Sequence, residues 1–268
     1  MKRFASSSIS TAPRSSSGIE RAMQCVILAG GLGTRMRALC DSLPKAMIPV
    51  LGKPFLFYQL EWLARQNVRQ VLLCIGYRGS LISAAVRDGA KFGLSVAYAD
   101  EGEAPRGTGG ALRLAHDLGL LEEGFFVLYG DAYLPINLLP VWQTSDSGSV
   151  PTMTIMRNEG RWDRSNVVFR SGNLILYDKY ASDPVALGMQ YIDYGLSVLS
   201  REMVVAKIAA GEVTDLARVL NHLSIEGRLR GHEIFERFYE IGSPAGLADF
   251  TKFVCSGMNG GQTPAEYC

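Results

Sequence analysis

CVILAGGLGTRMRALCDSLPKAMIPVLGKP, residues 25–54, decides how the rest of the chain is read. It opens with the apolar run Cys25 to Ala29, short, β-branched in its middle and bounded by glycine, which is the pattern of a buried parallel strand. Gly30, Gly31 and Gly33 then remove side chains where the backbone must turn, so that several N–H groups can face one anion. Arg35 adds a planar cationic fork, and Lys45, directly after Pro44, supplies a second cation in a segment with few other charges. A glycine turn with two cations suits a polyphosphate. A P-loop requires lysine and then Ser or Thr directly after the last glycine, whereas Thr34-Arg35 follow Gly33. A dinucleotide fingerprint requires a third glycine where Met36 stands, and an acid some twenty residues on, where Val50 lies among apolar neighbours. The remaining alternative is a glycine turn that serves only strand-to-helix geometry.

The spelling LAGGxGTR followed by PK closely resembles the sugar-1-phosphate nucleotidylyltransferases. The resemblance implies that Leu28, Ala29, Gly30, Gly31, Gly33 and Thr34 line the nucleotide site and that Arg35 and Lys45 are catalytic cations. It runs from about residue 23 to 254.

Over the whole chain the composition is that of an ordinary soluble domain: 268 residues, 47% hydrophobic and 20% charged. A net charge of +1 provides no general field for nucleic acid or a membrane surface, and no apolar run reaches the length of a membrane span. The five cysteines, Cys25, Cys40, Cys74, Cys255 and Cys268, are widely spaced with no CxxC pair, which fits reduced thiols in the cytoplasm. Residues 1–22, rich in serine, are expected to be a disordered tail and 256–268 a flexible one, enclosing a single domain over 23–255. Trp142 and Trp162 fit either a homo-oligomer surface or ordinary packing.

Along the chain, helical spacing over Phe55 to Arg65, a strand at Gln70 to Ile75, a helix at Gly79 to Lys91 and a strand at Leu94 to Ala99 imply βαβ units and a parallel sheet. A helix at Ala111 to Leu118 and a strand at Phe125 to Tyr129 continue the alternation. From Pro151 the spacing changes to short strands (Pro151 to Met156, Asn166 to Phe169, Leu174 to Tyr177, Met189 to Leu199), which suggests an antiparallel portion laid against the first sheet, before helices at Thr214 to Leu223 and Pro244 to Val254. The expected class is a Rossmann-like α/β fold: a mixed, mainly parallel sheet flanked by helices, with a smaller antiparallel sugar-binding portion. Ligands of such folds sit at the carboxyl ends of the strands.

Four further segments carry the resemblance. The glycine cluster at Gly107, Thr108 and Gly109 matches a PxGTGGA-like segment that supports the nucleotide base. Asp131, after Gly130 at the end of a strand, matches a Mg²⁺ ligand, and a hard cation of this kind shares oxygen ligands with substrate phosphates. Asp178 and Lys179 fall where the family contacts the sugar and its phosphate, although Tyr180 replaces the usual proline; Asp193 and Gly195 stand where many members have Asn-Ala-Gly-Ile. Glu240 takes the place of the second metal-binding aspartate and keeps the carboxylate with one more methylene.

The implied reaction joins a nucleoside triphosphate and a sugar 1-phosphate with release of pyrophosphate. No covalent protein intermediate is needed, so catalysis rests on positioning and charge neutralisation. The runs PKAMIPVLGKPFLFYQLEWL and IGYRGSLI resemble the heptose-1-phosphate and mannose-1-phosphate guanylyltransferases, which favours GTP. Uridylyl, cytidylyl and thymidylyl transfer stay open, as does a catalytically silent relative that senses nucleotide sugars. Loss of a preorganised cation costs about 3 kcal/mol of barrier, or roughly a hundredfold in rate. Arg35→Ala should therefore reduce turnover by at least that factor in a pyrophosphate-release assay, and near-wild-type turnover would remove Arg35 from the catalytic set.

Overall fold

The structure is a computed structural model that describes residues 23–31 and 43–258. Nine strands form one sheet among the described residues. They are β1 (Met23–Leu28), β2 (Val68–Ile75), β3 (Ser95–Asp100), β4 (Gly124–Tyr129), β5 (Thr152–Arg157), β6 (Val167–Arg170), β7 (Asn173–Tyr177), β8 (Tyr191–Ser200) and β9 (Arg230–Ile234). The helices are α1 (Phe55–Arg65), α2 (Gly79–Val86), α3 (Gly107–Asp117), α4 (Leu138–Thr144), α5 (Arg201–Lys207), α6 (Leu216–Ile225) and α7 (Pro244–Met258).

Strands β3, β2, β1 and β4 lie side by side and parallel, β1 pairing with β2 on one side and β4 on the other. Both faces of the central strands β1 and β4 are covered, so they are buried almost continuously, whereas β3 at the edge alternates between buried and exposed residues. Cys25, Ile27, Leu73 and Phe126 meet α1, α2 and α4 on one face, while Val26, Leu72 and Val127 meet α3, α5 and α6 on the other. A third, smaller cluster joins α7 to the start of α1 through Phe250, which packs edge-on against Phe55 and Tyr58.

The strands after Pro151 do not form a layer laid against the first sheet; they extend it. Antiparallel β8 pairs with β4 along Leu196–Ser200 and also with β5, and β9 adds to β5 in parallel. Strand order cannot be read from alternation, because period-two spacing shows which face is buried and not which neighbour is paired. The helix expected to reach Lys91 stops at Val86, where Arg87 turns into positive φ (61°), and a separate 3₁₀ turn spans Ala90–Phe92. At the other end α7 runs to Met258, into the segment expected to be frayed. The serine-rich tail 1–22, and Gly33, Thr34 and Arg35 of the glycine turn, lie outside the described residues. Among the described residues no helix is long and apolar enough to cross a membrane.

The registers bring Leu28, Cys74 and Tyr129 level at the carboxyl edge of the parallel strands. There Gly130 donates its N–H to Leu28 O at 3.0 Å. A Cβ on Gly130 would sit 2.8 Å from that oxygen and 3.1 Å from Ala29 Cα, both of them backbone atoms with no freedom to move aside. Gly130→Ala is expected to destabilise the fold by about 1–3 kcal/mol through overpacking, read as a lower midpoint in chemical denaturation.

Candidate active site

The sheet edge that follows Leu28 and Tyr129 gathers most of the residues singled out from the sequence. Asp131 comes directly after the β4 turn, and Lys45 enters from a 3₁₀ turn, Lys45–Met47, to place Nζ 2.5 Å from Asp131 Oδ2. Both groups are largely enclosed, the lysine side chain only 16% exposed, so water screens this pair little and it is well fixed. Glu240 arrives on a two-residue ribbon in which Tyr239 pairs with Tyr133 and Glu240 with Ala132, and Ile241 N donates to Asp131 O at 3.0 Å. Glu240 Oε2 and Lys45 Nζ flank one point beside Gly242, 3.1 and 3.2 Å from where its Cβ would be. Asp131, Lys45 and Glu240, far apart in sequence, therefore share one side of the site.

A residue that the sequence reading missed holds this loop in place. Gln59, on α1 and with no exposed surface, donates its amide N–H groups to Tyr129 O at 3.0 Å and Ala132 O at 2.7 Å, the carbonyls on either side of Gly130-Asp131. Two carbonyl partners fix which end of the amide is nitrogen.

Ala29 and Gly30 lead out of β1, with Ala29 N bonded to Cys74 O at 2.8 Å, and Gly31 is exposed beyond them. The carboxylate of Glu101, just past β3, lies against this backbone: its Oε1 fills the space a Cβ on Gly30 would occupy, and is 2.8 Å from that of Gly76. Oε2 accepts the Arg106 N–H at 2.9 Å. Burial raises the Glu101 pKa, against the opposing effect of that bond and of the Arg106 charge. An acid directly after a strand end and just ahead of a glycine cluster was the available signal.

Gly107, Thr108 and Gly109 form the first turn of α3, which begins four residues earlier than the apolar pattern indicated. Their glycine content matches a close approach to the segment ahead of α6: Gly107 has φ +71°, and a Cβ there would be 2.5 Å from Thr214 O. That oxygen accepts the N–H of Gly109 at 2.9 Å and of Gly110 at 3.2 Å. Thr108 Oγ1 donates to Asp215 Oδ1 at 2.7 Å and accepts from Leu216 N at 2.8 Å.

On the far side β8 runs antiparallel, so its first residues lie at the edge where β4 ends. Gly195, at φ +100°, marks an irregularity between Asp193 and Ser197 and faces Ala132 and Tyr129. Asp193 Oδ1 accepts Gly195 N–H at 2.9 Å, and Tyr177 Oη lies 3.5 Å from Oδ2. Asp178 closes its own turn, its Oδ1 accepting Tyr180 N–H at 2.8 Å, and among the described residues it is not joined to the other candidates by a hydrogen bond. Lys179 reaches Asp215 Oδ2 at 3.2 Å. Helix α6 secures this segment through Asn221 Nδ2 to Tyr177 O at 2.6 Å. Trp142 packs on Phe126, and Trp162 on Phe238, which gives both tryptophans intramolecular partners.

A chain with a glycine turn at the end of β1, paired carboxylate and ammonium groups at the end of β4 and a second acidic wall beyond belongs to the nucleotide-handling α/β proteins. Residues 24–180 match the family model described as nucleotidyl transferase, and the chain belongs to that family. It is 37% identical over 116 residues to a D-glycero-α-D-manno-heptose 1-phosphate guanylyltransferase of Campylobacter jejuni subsp. jejuni serotype O:2, an alignment that covers 43% of this chain and about half (51%) of the relative. With the enzyme of the same name from Aneurinibacillus thermoaerophilus it shares 32% identity over 174 residues, 63% of this chain and 74% of the relative. A Bacillus anthracis protein assigned as a glucose-1-phosphate thymidylyltransferase, solved with sucrose, has the same fold at a TM-score of 0.74 and 18% identity, covering 87% of this chain and 95% of that one.

Burial pushes the Asp193 carboxyl up to about 6, partly offset by the Gly195 N–H, the Lys179 charge and the Tyr177 hydroxyl. A carboxyl that titrates higher in the folded state than in the unfolded chain binds the extra proton on folding, so stability falls as pH rises between about 4 and 6. Asp193→Asn keeps an acceptor for Gly195 and removes the charge. It should be more stable than the wild type at pH 8, with the gap closing towards pH 4.5 in denaturant titrations at the two pH values.

Proposed function

We propose that this protein joins GTP to a sugar 1-phosphate of manno configuration, a heptose or a mannose, giving a nucleoside diphosphate sugar and pyrophosphate. The observation that carries the reaction is the convergence of Lys45, Asp131 and Glu240 at the sheet edge where β4 ends. An oxygen of the sugar phosphate attacks the α-phosphorus, the bond from that phosphorus to the bridging oxygen breaks, and pyrophosphate leaves with the electron pair. Negative charge grows on the phosphoryl oxygens along this path, and the fixed ammonium of Lys45, with Arg35, is the protein's means of neutralising it.

Mg²⁺ fits the donor set. Asp131 and Glu240 are hard oxygen donors on adjoining ribbon positions, and among the described residues no group of three or more His, Cys, Asp or Glu forms a self-sufficient metal cluster. Two carboxylates leave the remaining positions for phosphate oxygens and water, the usual arrangement for this ion. When bound, the ion supplies Lewis-acid charge to the phosphates. Lys45 pairs with Asp131 at 2.5 Å.

Glu101 supports guanine. The Watson–Crick edge of guanine presents N–H donors side by side, and Glu101 Oε2, which already accepts the Arg106 N–H, keeps a second lone pair for such a donor. Thymine, uracil and cytosine present no such pair of adjacent donors. The favoured sugar rests on likeness to the two heptose-phosphate enzymes. Lys179, with Asp193 and Gly195 beyond it, is read as the sugar-phosphate side of the site.

The test is pyrophosphate release with Mg²⁺ over a grid of nucleoside triphosphates and sugar 1-phosphates, including mannose, glucose and heptose forms. One dominant signal with GTP and a manno-configured sugar is expected. A dominant pyrimidine nucleotide would overturn the guanine assignment, and a blank grid from folded protein would overturn the reaction. Glu101→Gln should lower kcat/KM for GTP about tenfold or more, in line with the loss of a charge-assisted hydrogen bond, while leaving any residual pyrimidine activity unchanged.

A further inference from the structure

Tyr180 stands where the resembling family carries proline, and its hydroxyl makes a bond that proline cannot. It donates to Asp215 Oδ2 at 2.6 Å, the same oxygen that Lys179 Nζ approaches at 3.2 Å. The other oxygen of Asp215 accepts Thr108 Oγ1–H at 2.7 Å and the Ala217 N–H at 3.0 Å, the latter as the cap of α6. One carboxylate thus collects four donors from three segments: the glycine turn of α3, the chain after β7 and the start of α6.

These donors differ in how readily they can leave. The Ala217 amide is fixed in the helix, and Thr108 is held from its other side by Leu216 N. Lys179 makes the longest of the four contacts, on a flexible stem whose side chain is 47% exposed, so it is the donor that can move away. Its charge already acts on Asp193, and the Arg218 guanidinium lies 5.8 Å from the Tyr180 ring centroid. Although burial alone would raise it, the bonds from Tyr180, Ala217 and Thr108, with the Lys179 charge, hold the Asp215 carboxyl well below the usual carboxylate range. The Tyr180 hydroxyl is in turn pushed up to about 12, chiefly by its bond to Asp215. Asp215 is therefore anionic, and Tyr180 a donor, across the working range of pH.

We infer that Tyr180 and Asp215 form a holding site for the Lys179 ammonium, which aims it at the incoming sugar 1-phosphate and lets it go because the Tyr180 hydroxyl keeps Asp215 paired after it leaves. The inference rests on the reading of Lys179 as the sugar-phosphate cation. Without the hydroxyl, departure of Lys179 would leave a half-buried carboxylate oxygen without a partner, and the lysine would stay with Asp215 rather than move to the phosphate. Tyr180 and Asp215 are positioning residues: they act through Lys179.

Calorimetric titration with mannose 1-phosphate, and with inorganic phosphate as a sugar-free probe, tests this in wild type, Tyr180→Phe, Lys179→Ala and the double variant. Tyr180 is more than half exposed, so the phenylalanine variant retains the fold. Tyr180→Phe should weaken binding of both probes about fivefold to tenfold and leave GTP binding within twofold. In the Lys179→Ala background the same substitution should change nothing further. An unaltered affinity in Tyr180→Phe, or an equal loss in both backgrounds, would overturn the inference, the second by showing a role independent of Lys179. If Lys179→Ala alone binds both probes as the wild type does, the reading of Lys179 has failed, and that failure is separately visible. Binding of neither probe to the wild type would remove the anion site and the holding site together.

Discussion

The side-chain amide of Gln59 spans the turn that carries Asp131, with one N–H on the carbonyl before Gly130-Asp131 and the other on the carbonyl after it. A buried carbonyl without a partner is costly, and a turn between a strand and a two-residue ribbon has no ladder of its own to satisfy both. The amide settles this from the neighbouring helix, so the position of Asp131 depends on how α1 packs on the sheet. That packing buries Leu56, Leu60, Trp62 and Leu63 in the core of its face. The chemistry at the sheet edge is thereby referred to the core. Lys45, held at Asp131, and Glu240, placed by pairing with Ala132, take their positions from the same turn.

The charges are distributed as pairs of unequal firmness. Asp131 with Lys45 and Asp215 with Lys179 place one carboxylate and one ammonium on each side of the site. The Asp193 carboxyl is raised by burial, and the partly buried Tyr129, desolvated and under the charges of Asp193, Asp215 and Asp131, is pushed well above the ordinary phenol range. An acidic interior of this kind is costly for like charges, and Lys45 and Lys179 each stand against one of these carboxylates.

Much of this was legible in the chain. The apolar run before Gly30 is β1, Phe55 to Arg65 is α1 to the residue, and the strand ahead of Gly130-Asp131 is β4, because each is bounded by glycine or proline and carries unbroken hydrophobic spacing. Lys45 and Asp131 were found by motif, and the structure places them in contact. What did not show was contact between segments remote in sequence. Glycines at 107 and 109 look like an open backbone surface until Thr214, about a hundred residues later, is seen to fill the space. Asp215 reads as an ordinary helix cap, which it is, and only the fold reveals that Tyr180, Lys179 and Thr108 share it. Gln59 is one polar residue on an apolar helix face, and its sense lies in two carbonyls some seventy positions away.

Because β8 is bonded to β4 on one side and β5 on the other, the strands that bear Asp131 and Asp193 belong to one continuous hydrogen-bonded sheet. A cleft between two bodies joined by a linker changes its width cheaply, by rotation about the linker. Here any change in the spacing between the two walls must bend a sheet or break its ladder. The gauge of the cleft is thus set by strand spacing, and adjustment to different ligands falls to side chains and to the loops that leave the strand ends. In evolutionary terms, such a frame can exchange one ligand for another by altering a few edge residues while the distance between its walls stays the same.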